Sequence, residues 1–257
     1  MALPTTISGL QNTYLLNGPV ISSGGSVYVV GCDGSSLRKP AVTKATDPTS
    51  SFSIQDSANE PFVSDTLAAL WAFQDGDDLK IATGTIGADY RYHVFHMATD
   101  LWDGTLKNEL IEDPKDLPSD VRCAVTVRSD DDVVVLYNGD KDTIMGADYD
   151  RVDYAVRVTS WTVGTNVAGD GLETSWRQGI AVLGVSDKSH FYYTDTTNAD
   201  AYHRSLNSSD SLGTQHSIDT SVASGDPFSP SNSGGGHGTG IYYDAAGVER
   251  ITVAYQD

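Results

Sequence analysis

Leu67-Ala-Ala-Leu-Trp-Ala-Phe73, then Gln-Asp-Gly-Asp-Asp, then Leu79-Lys-Ile-Ala-Thr83 is an apolar run, a polar turn and a second apolar run. That layout reads as an antiparallel hairpin, because Asp and Gly accept turn geometry and the flanking runs have strand length. It returns three times downstream. Cys123-Ala-Val-Thr-Val-Arg128 and Val133-Val-Val-Leu-Tyr137 flank Ser-Asp-Asp-Asp. Gly179-Ile-Ala-Val-Leu-Gly184 and His190-Phe-Tyr-Tyr-Thr194 flank Val-Ser-Asp-Lys-Ser, and Gly240-Ile-Tyr-Tyr243 and Arg250-Ile-Thr-Val-Ala-Tyr255 flank Asp-Ala-Ala-Gly-Val-Glu. An upstream copy reads Gly18-Pro-Val-Ile-Ser-Ser-Gly-Gly-Ser-Val27-Tyr-Val-Val30. The second runs begin near residues 27, 79, 133, 190 and 250, at spacings of 52, 54, 57 and 60.

Two further series keep the period. Ala45-Thr46-Asp47, Ala98-Thr99-Asp100 and Ser208-Ser209-Asp210 form one, with Thr159-Ser160-Trp161 at the missing place. Gly87-Ala88-Asp89-Tyr90, Gly146-Ala147-Asp148-Tyr149 and Asn198-Ala199-Asp200-Ala201 form the other. An aromatic also precedes Trp by seven residues in Phe95/Trp102 and Tyr154/Trp161.

A repeat of 52–60 residues with about four short strands is the size of a propeller blade, which buries its faces only against neighbouring copies. The expectation is an all-β propeller in a single domain, with blades at 10–60, 61–117, 118–172, 173–225 and 226–257. The last segment supplies only a hairpin. Residues 1–15 and the following Leu16 offer strand-like stretches that would complete it, closing a five-bladed ring with both termini; a truncated chain, or completion by another subunit, is the alternative.

Composition agrees with strands and turns. Five of the 35 acidic residues are glutamates and the other 30 are aspartates, which favour turns over helices. The net charge of −19 disfavours nucleic acid and anionic membrane surfaces, since phosphate binding needs clustered Lys and Arg. No apolar run is long enough to insert in a membrane. Cys32 and Cys123 both lie in apolar runs and read as buried free thiols. The N-terminal Met-Ala-Leu-Pro-Thr-Thr lacks the basic and apolar regions of a secretory signal, so an extracellular or virion setting would be reached by another route.

The first hairpin, Gly18-Pro19-Val20-Ile21 to Gly25-Ser26-Val27-Tyr28-Val29-Val30, resembles that of the sialidase-like (BNR-type) propeller superfamily. The Ala/Ser-Thr/Ser-Asp markers resemble degenerate Asp-boxes, as in Thr99-Asp100-Leu101-Trp102 and Ser209-Asp210-Ser211-Leu212-Gly213. The resemblance implies the propeller fold. No Phe-Arg-Ile-Pro motif accompanies it, so sialidase activity is not implied.

Candidate binding residues come from the loop between second and third strands, which all blades present on one propeller face. Arg38, Arg91, Arg151 and Arg204 lie 8, 8, 14 and 10 residues beyond the second-strand ends at Val30, Thr83, Tyr137 and Thr194. Arg offers a rigid fork of donors for carboxylate or sulfate. Tyr90, Tyr149 and Tyr202, with Tyr92, could stack on sugar rings, and Asp89, Asp148 and Asp200 could accept from hydroxyls. The expected function is glycan binding by a non-catalytic module of lectin, adhesin or virion-fibre type. The competing explanation is that the same residues pair between blades or fill blade interfaces.

Catalysis is the alternative function, as a sialidase-like glycoside hydrolase with Glu173 and Arg177 on the same face. A scaffold bound to other proteins or to copies of itself is a third class. No cofactor motif stands out. Asn138-Gly-Asp140-Lys-Asp142 begins like a calcium loop but lacks the later Gly and Glu. His93 and His96 should point to opposite strand faces, and His190, His203, His216 and His237 show no ligand spacing.

Overall fold

The computed structural model describes residue 10 and residues 19–35, 38–47, 49–61, 65–87, 89–113, 121–144, 147–164, 176–184, 187–195, 200–219, 238–243 and 249–254; at 19 and within 140–144, 147–151, 176–184, 194–195, 200–201, 219, 238–243 and 249–254 it describes the backbone alone. Two compact units divide the chain, residues 1–113 and 114–257. Every sheet is antiparallel and meanders in sequence order, with no α-helix among the described residues.

Among the described residues the first unit holds two sheets. One is β1 (Pro19–Ile21), β2 (Val27–Cys32), β3 (Pro40–Ala45) and β4 (Ser53–Ile54). The next is β5 (Leu67–Asp75), β6 (Asp78–Thr85) and β7 (Tyr90–His96), edged by β8 (Leu101–Trp102) and β9 (Glu109–Glu112). β8 pairs with one end of β7 and β9 with the other, so the fourth strand is split in two.

β2 is buried at all six positions. Its alternate residues serve two different cores, which is why its sequence is continuously apolar rather than alternating. Tyr28, Val30, Cys32 and Val42 pack with Leu67, Leu70, Leu79, Ile81, Phe95 and Trp102 of the second sheet. Val27, Val29, Ala45 and Phe52 form a second cluster on the opposite face, against Leu10.

Among the described residues the second unit has three sheets. β10 (Cys123–Val127), β11 (Val133–Ile144), β12 (Ala147–Arg157) and β13 (Trp161–Gly164) form one. β14 (Trp176–Gly184), β15 (Lys188–Asp195), β16 (Asp200–Leu206) and β17 (His216–Asp219) form another. β18 (Gly238–Tyr243) and β19 (Glu249–Ala254) make a two-stranded sheet. β14 packs on β10, β11 and β12, and β18 packs on β14, so sheets stack in sequence order.

Turn chemistry fixes several hairpins. In Ser22–Ser26, Arg128–Asp132 and Asn207–Ser211 the fourth residue donates to the carbonyl of the first, and the first donates to the carbonyl of the fifth. The fourth residue has positive φ in each: Gly25 at 78°, Asp131 at 67° and Asp210 at 56°. This is a type I turn closed by a left-handed residue, a place that Gly takes freely and Asp tolerates.

Two expectations change in detail. Asn138 to Asp142, read as a loop, lies within β11, which runs on to Ile144 with a register shift between Asn138 and Lys141. The Asp148-Tyr149 marker therefore sits in the long β11–β12 hairpin rather than in a loop. A polar sequence is held in strand here because β12 supplies backbone partners on both sides of the shift. The seven-residue aromatic spacing also has two meanings. Phe95 and Trp102 are register partners, T-shaped at 5.2 Å, whereas Tyr154 pairs with Gly164 and Trp161 pairs with Arg157.

Candidate functional site

Asp89 and Arg91 flank the start of β7, where the chain enters the third strand of its sheet. The Arg91 guanidinium meets Asp89 Oδ2 at 3.0 Å and donates to the Asn108 carbonyl at 3.3 Å. Both side chains are mostly buried, at 20% and 17% exposure. Tyr90, between them, is fully buried, and so is Tyr92 nearly, so neither ring has an open face for a sugar. Arg38 differs. It is exposed in the β2–β3 loop with φ of 52°, and among the described residues its guanidinium meets no carboxylate.

In the second unit, Tyr202 stacks on Tyr193 at 6.0 Å, and Arg204 Nε donates to the Gly213 carbonyl at 2.7 Å. Arg151, Asp148, Tyr149 and Asp200 have described backbone only, so what their side chains touch lies outside the described residues. Glu173 lies outside them altogether, and of Arg177 only the backbone is described.

The four arginines do not share one register position. Arg38 precedes β3, Arg91 is the second residue of β7, and Arg151 and Arg204 are the fifth residues of β12 and β16. Register makes the offset explicit: β2–β3, β6–β7, β11–β12 and β15–β16 close at Cys32/Pro40, Gly84/Tyr90, Ile144/Ala147 and Asp195/Asp200. Hairpins of unequal length move residues of equal sequence spacing along the strand.

The Asp markers have a clear structural use. Asp100, at φ of 58°, accepts from the Tyr28 hydroxyl at 2.5 Å and from Lys44 Nζ at 2.6 Å, tying the second sheet to the first. Tyr28 also lies 2.8 Å from the Met97 carbonyl, and Lys44 Nζ sits 5.3 Å above the Tyr28 ring. Burial raises the Tyr28 pKa, and the Asp100 hydrogen bond raises it further. Asp210 plays the same part in the second unit, accepting from Arg128 Nη1 at 2.8 Å. Asp47 instead closes its own turn, accepting from Ser50 and Thr49, which lowers its pKa to about 2.

Histidines are deployed in three ways. His93 is fully buried: its Nδ1 donates to the Lys107 carbonyl at 2.6 Å, and its Nε2 accepts from Thr83 at 2.8 Å. Burial pushes its pKa down to about 4. His96 turns the other way, between Asp78 at 2.6 Å and Asp103 at 3.1 Å, and the Asp78 hydrogen bond raises its pKa. His190, His203 and His216 show no ligand spacing along the chain, yet they form one row across β15, β16 and β17. Their chain spacing hides this, because only strand register brings residues 13 apart to neighbouring positions. Among the described residues no group of three or more His, Cys, Asp or Glu is placed to hold a metal ion. Asp140 and Asp142, from the calcium-like stretch, have described backbone only.

No protein-family model and no curated protein matches the sequence. Solved structures do resemble the fold. An ulvan lyase, a polysaccharide lyase bound to -[GlcA(1-4)Rha3S]-, matches 87% of this chain with TM-score 0.55 and 10% identity. The chain spans 57% of that lyase. The Aleuria aurantia lectin, as a mutant in complex with Fucα1-6GlcNAc, matches 98% of this chain and 74% of its own length, with TM-score 0.56 and 13% identity. The same fungal lectin in another structure, described as a six-bladed β-propeller with a novel fucose recognition mode, matches 93% of this chain and 70% of its own, with TM-score 0.50 and 15% identity. At these identities the likeness is one of fold, namely stacked antiparallel sheets of the β-propeller kind.

Proposed function

We propose that the protein is a glycan-binding propeller, a recognition module without catalysis of its own, acting at an extracellular or virion surface. The carrying observation is the fold likeness to propellers that hold saccharides, a fucose-binding lectin and an ulvan lyase. The guanidinium of Arg38, exposed and meeting no carboxylate among the described residues, supports a ligand with acidic groups, such as a uronate or a sulfated sugar. Arg91 and Asp89, being paired and largely buried, position backbone rather than ligand in this reading. On the same proposal the chain is a five-bladed relative of the sialidase-like propellers. The lyase likeness favours one second reading, cleavage of an acidic polysaccharide.

The test is a glycan array probed with the purified protein, with and without calcium, followed by analysis of bound glycans for cleavage. The expected result is retained, uncleaved acidic or fucosylated glycans, with Arg38→Ala weakening the acidic set about tenfold. Loss of glycan from the spots would establish the lyase or hydrolase reading. A blank array would overturn glycan binding and turn attention to a protein partner.

A further inference from the structure

His190, His203 and His216 share one face of the fourth sheet. His203 and His216 are register partners on β16 and β17, and His190 on β15 is diagonal to His203, whose own partner on β15 is Tyr192. The rings lie nearly parallel, with centroids 5.2 Å and 6.2 Å apart. His190 Nδ1 is 2.9 Å from His203 Nε2. The row runs from His190, 9% exposed, to His216, which is exposed.

Proton counting shows what this geometry tolerates. A neutral pair is satisfied when His190 Nδ1–H donates to His203 Nε2, leaving a bare lone pair on His190 Nε2. That Nε2 is buried and has no partner among the described residues. Adding a proton to His190 puts N–H on Nε2 directly. Adding it to His203 makes His203 Nε2 the donor, so His190 Nδ1 must accept and its own proton moves to Nε2. Either way a buried donor is left without an acceptor, a cost of the kind that folds avoid.

Among the described residues the surroundings offer no counter-charge. The titratable neighbours there are Tyr192, whose ring is 5.1 Å from His203, His216 on β17 and the Lys188 ammonium on β15. Ser205 on β16 is the register partner of His190, and Val182 and Ile180 on β14 are the partners of His190 and Tyr192. No carboxylate acts on either buried ring among the described residues. We infer that the His190–His203–His216 row is an acid-sensitive latch, which holds β15, β16 and β17 together when neutral and releases the outer strands when it takes up a proton.

Burial, with Lys188 or the other histidines adding, lowers the pKa of His190 and His203 to about 4 from the ordinary 6.5. The sign follows. The folded state refuses protons that the opened state accepts from pH 6.5 downward, so the latch contributes fully above pH 6.5 and is lost as pH falls towards 4. His96, whose pKa is raised, works in the opposite direction, so a global melting curve mixes the two. A local readout is needed.

The experiment is amide hydrogen exchange of β16 and β17 in the intact protein between pH 7.5 and 5.0, corrected for intrinsic rates, with β10 and β11 as internal reference. Opening of β16 and β17 should rise about tenfold or more over that range while the reference stays flat. His190→Gln, which leaves His203 as the one buried imidazole of the row, should cut the rise by at least about threefold. A flat wild-type profile, or an unchanged rise in His190→Gln, would overturn the latch. Should that variant fail to fold, NMR titration of the wild-type imidazoles decides: midpoints below about 5 for His190 and His203 support it, and midpoints near 6.5 overturn it.

Discussion

Arg128 has a fully buried side chain surrounded by Asp130 at 3.3 Å, Asp132 at 2.5 Å, Asp210 at 2.8 Å and the Asn207 carbonyl at 2.8 Å. Burial works against its charge, but Asp210 and Asp132 outweigh that and raise its pKa. Removing the cation leaves carboxylates facing one another, so Arg128→Met should cost about 3–5 kcal/mol. Asp210→Asn, at a carboxylate 42% exposed, should cost about 1 kcal/mol. Urea denaturation of both variants checks this. A loss for Arg128→Met no larger than that for Asp210→Asn would mean that the carboxylates tolerate one another without the cation. The role of Asp210 was half legible: the repeating Asp marker announced an important position, but the sequence around it does not contain Arg128, 82 residues away. The same holds for Asp100, whose partners Tyr28 and Lys44 lie 72 and 56 residues upstream.

At the scale of elements, the hairpins were the most legible part. β5, β6, β10, β11, β14, β15, β18 and β19 each begin within two or three residues of the apolar runs that announced them. Strands covered on both faces are apolar throughout, and Asp/Gly turns punctuate them, so both signals sit in local sequence. Hairpin length between second and third strands was not legible. Asn138-Gly-Asp-Lys-Asp has turn composition, yet β12 pairs with it as strand. Gly139 is needed there for closeness of approach: a Cβ would fall 1.7 Å from Asp153 Oδ2 and 2.4 Å from its Cγ, and Asp153 is fully buried. Gly139→Ala should therefore cost about 2–3 kcal/mol, while Gly104→Ala, where a Cβ meets nothing within 4 Å, should change stability by less than about 0.5 kcal/mol. Equal midpoints in urea for the two variants would show that the β11–β12 hairpin relaxes freely.

For the whole molecule, the net charge of −19 opposes compaction through self-repulsion, while the Lys44–Asp100 and Arg128–Asp210 pairs work the other way. Salt screens exposed charges far apart more than it weakens short, partly buried pairs. Raising salt from about 10 mM to 0.5 M should stabilise by about 1 kcal/mol and raise Tm by about 2–4 °C. A fall in Tm would mean that ion pairs dominate the balance.

What the sequence determined by itself is the periodic part: an all-β chain, the five places where hairpins fall, and the turns between their strands. These depend on apolar runs and on Asp and Gly within a few residues, so each copy carries its own signal. Tertiary structure alone decided which periodic residues are spent on holding sheets together. It gave Asp100 and Asp210 to neighbouring sheets and buried Arg91 against Asp89, while Arg38 remained exposed. It also brought together three histidines that spacing kept apart. The physical reason is that pairing across strands and sheets depends on register and hairpin length, and a single inserted residue turns a side chain to the other face without disturbing the local pattern.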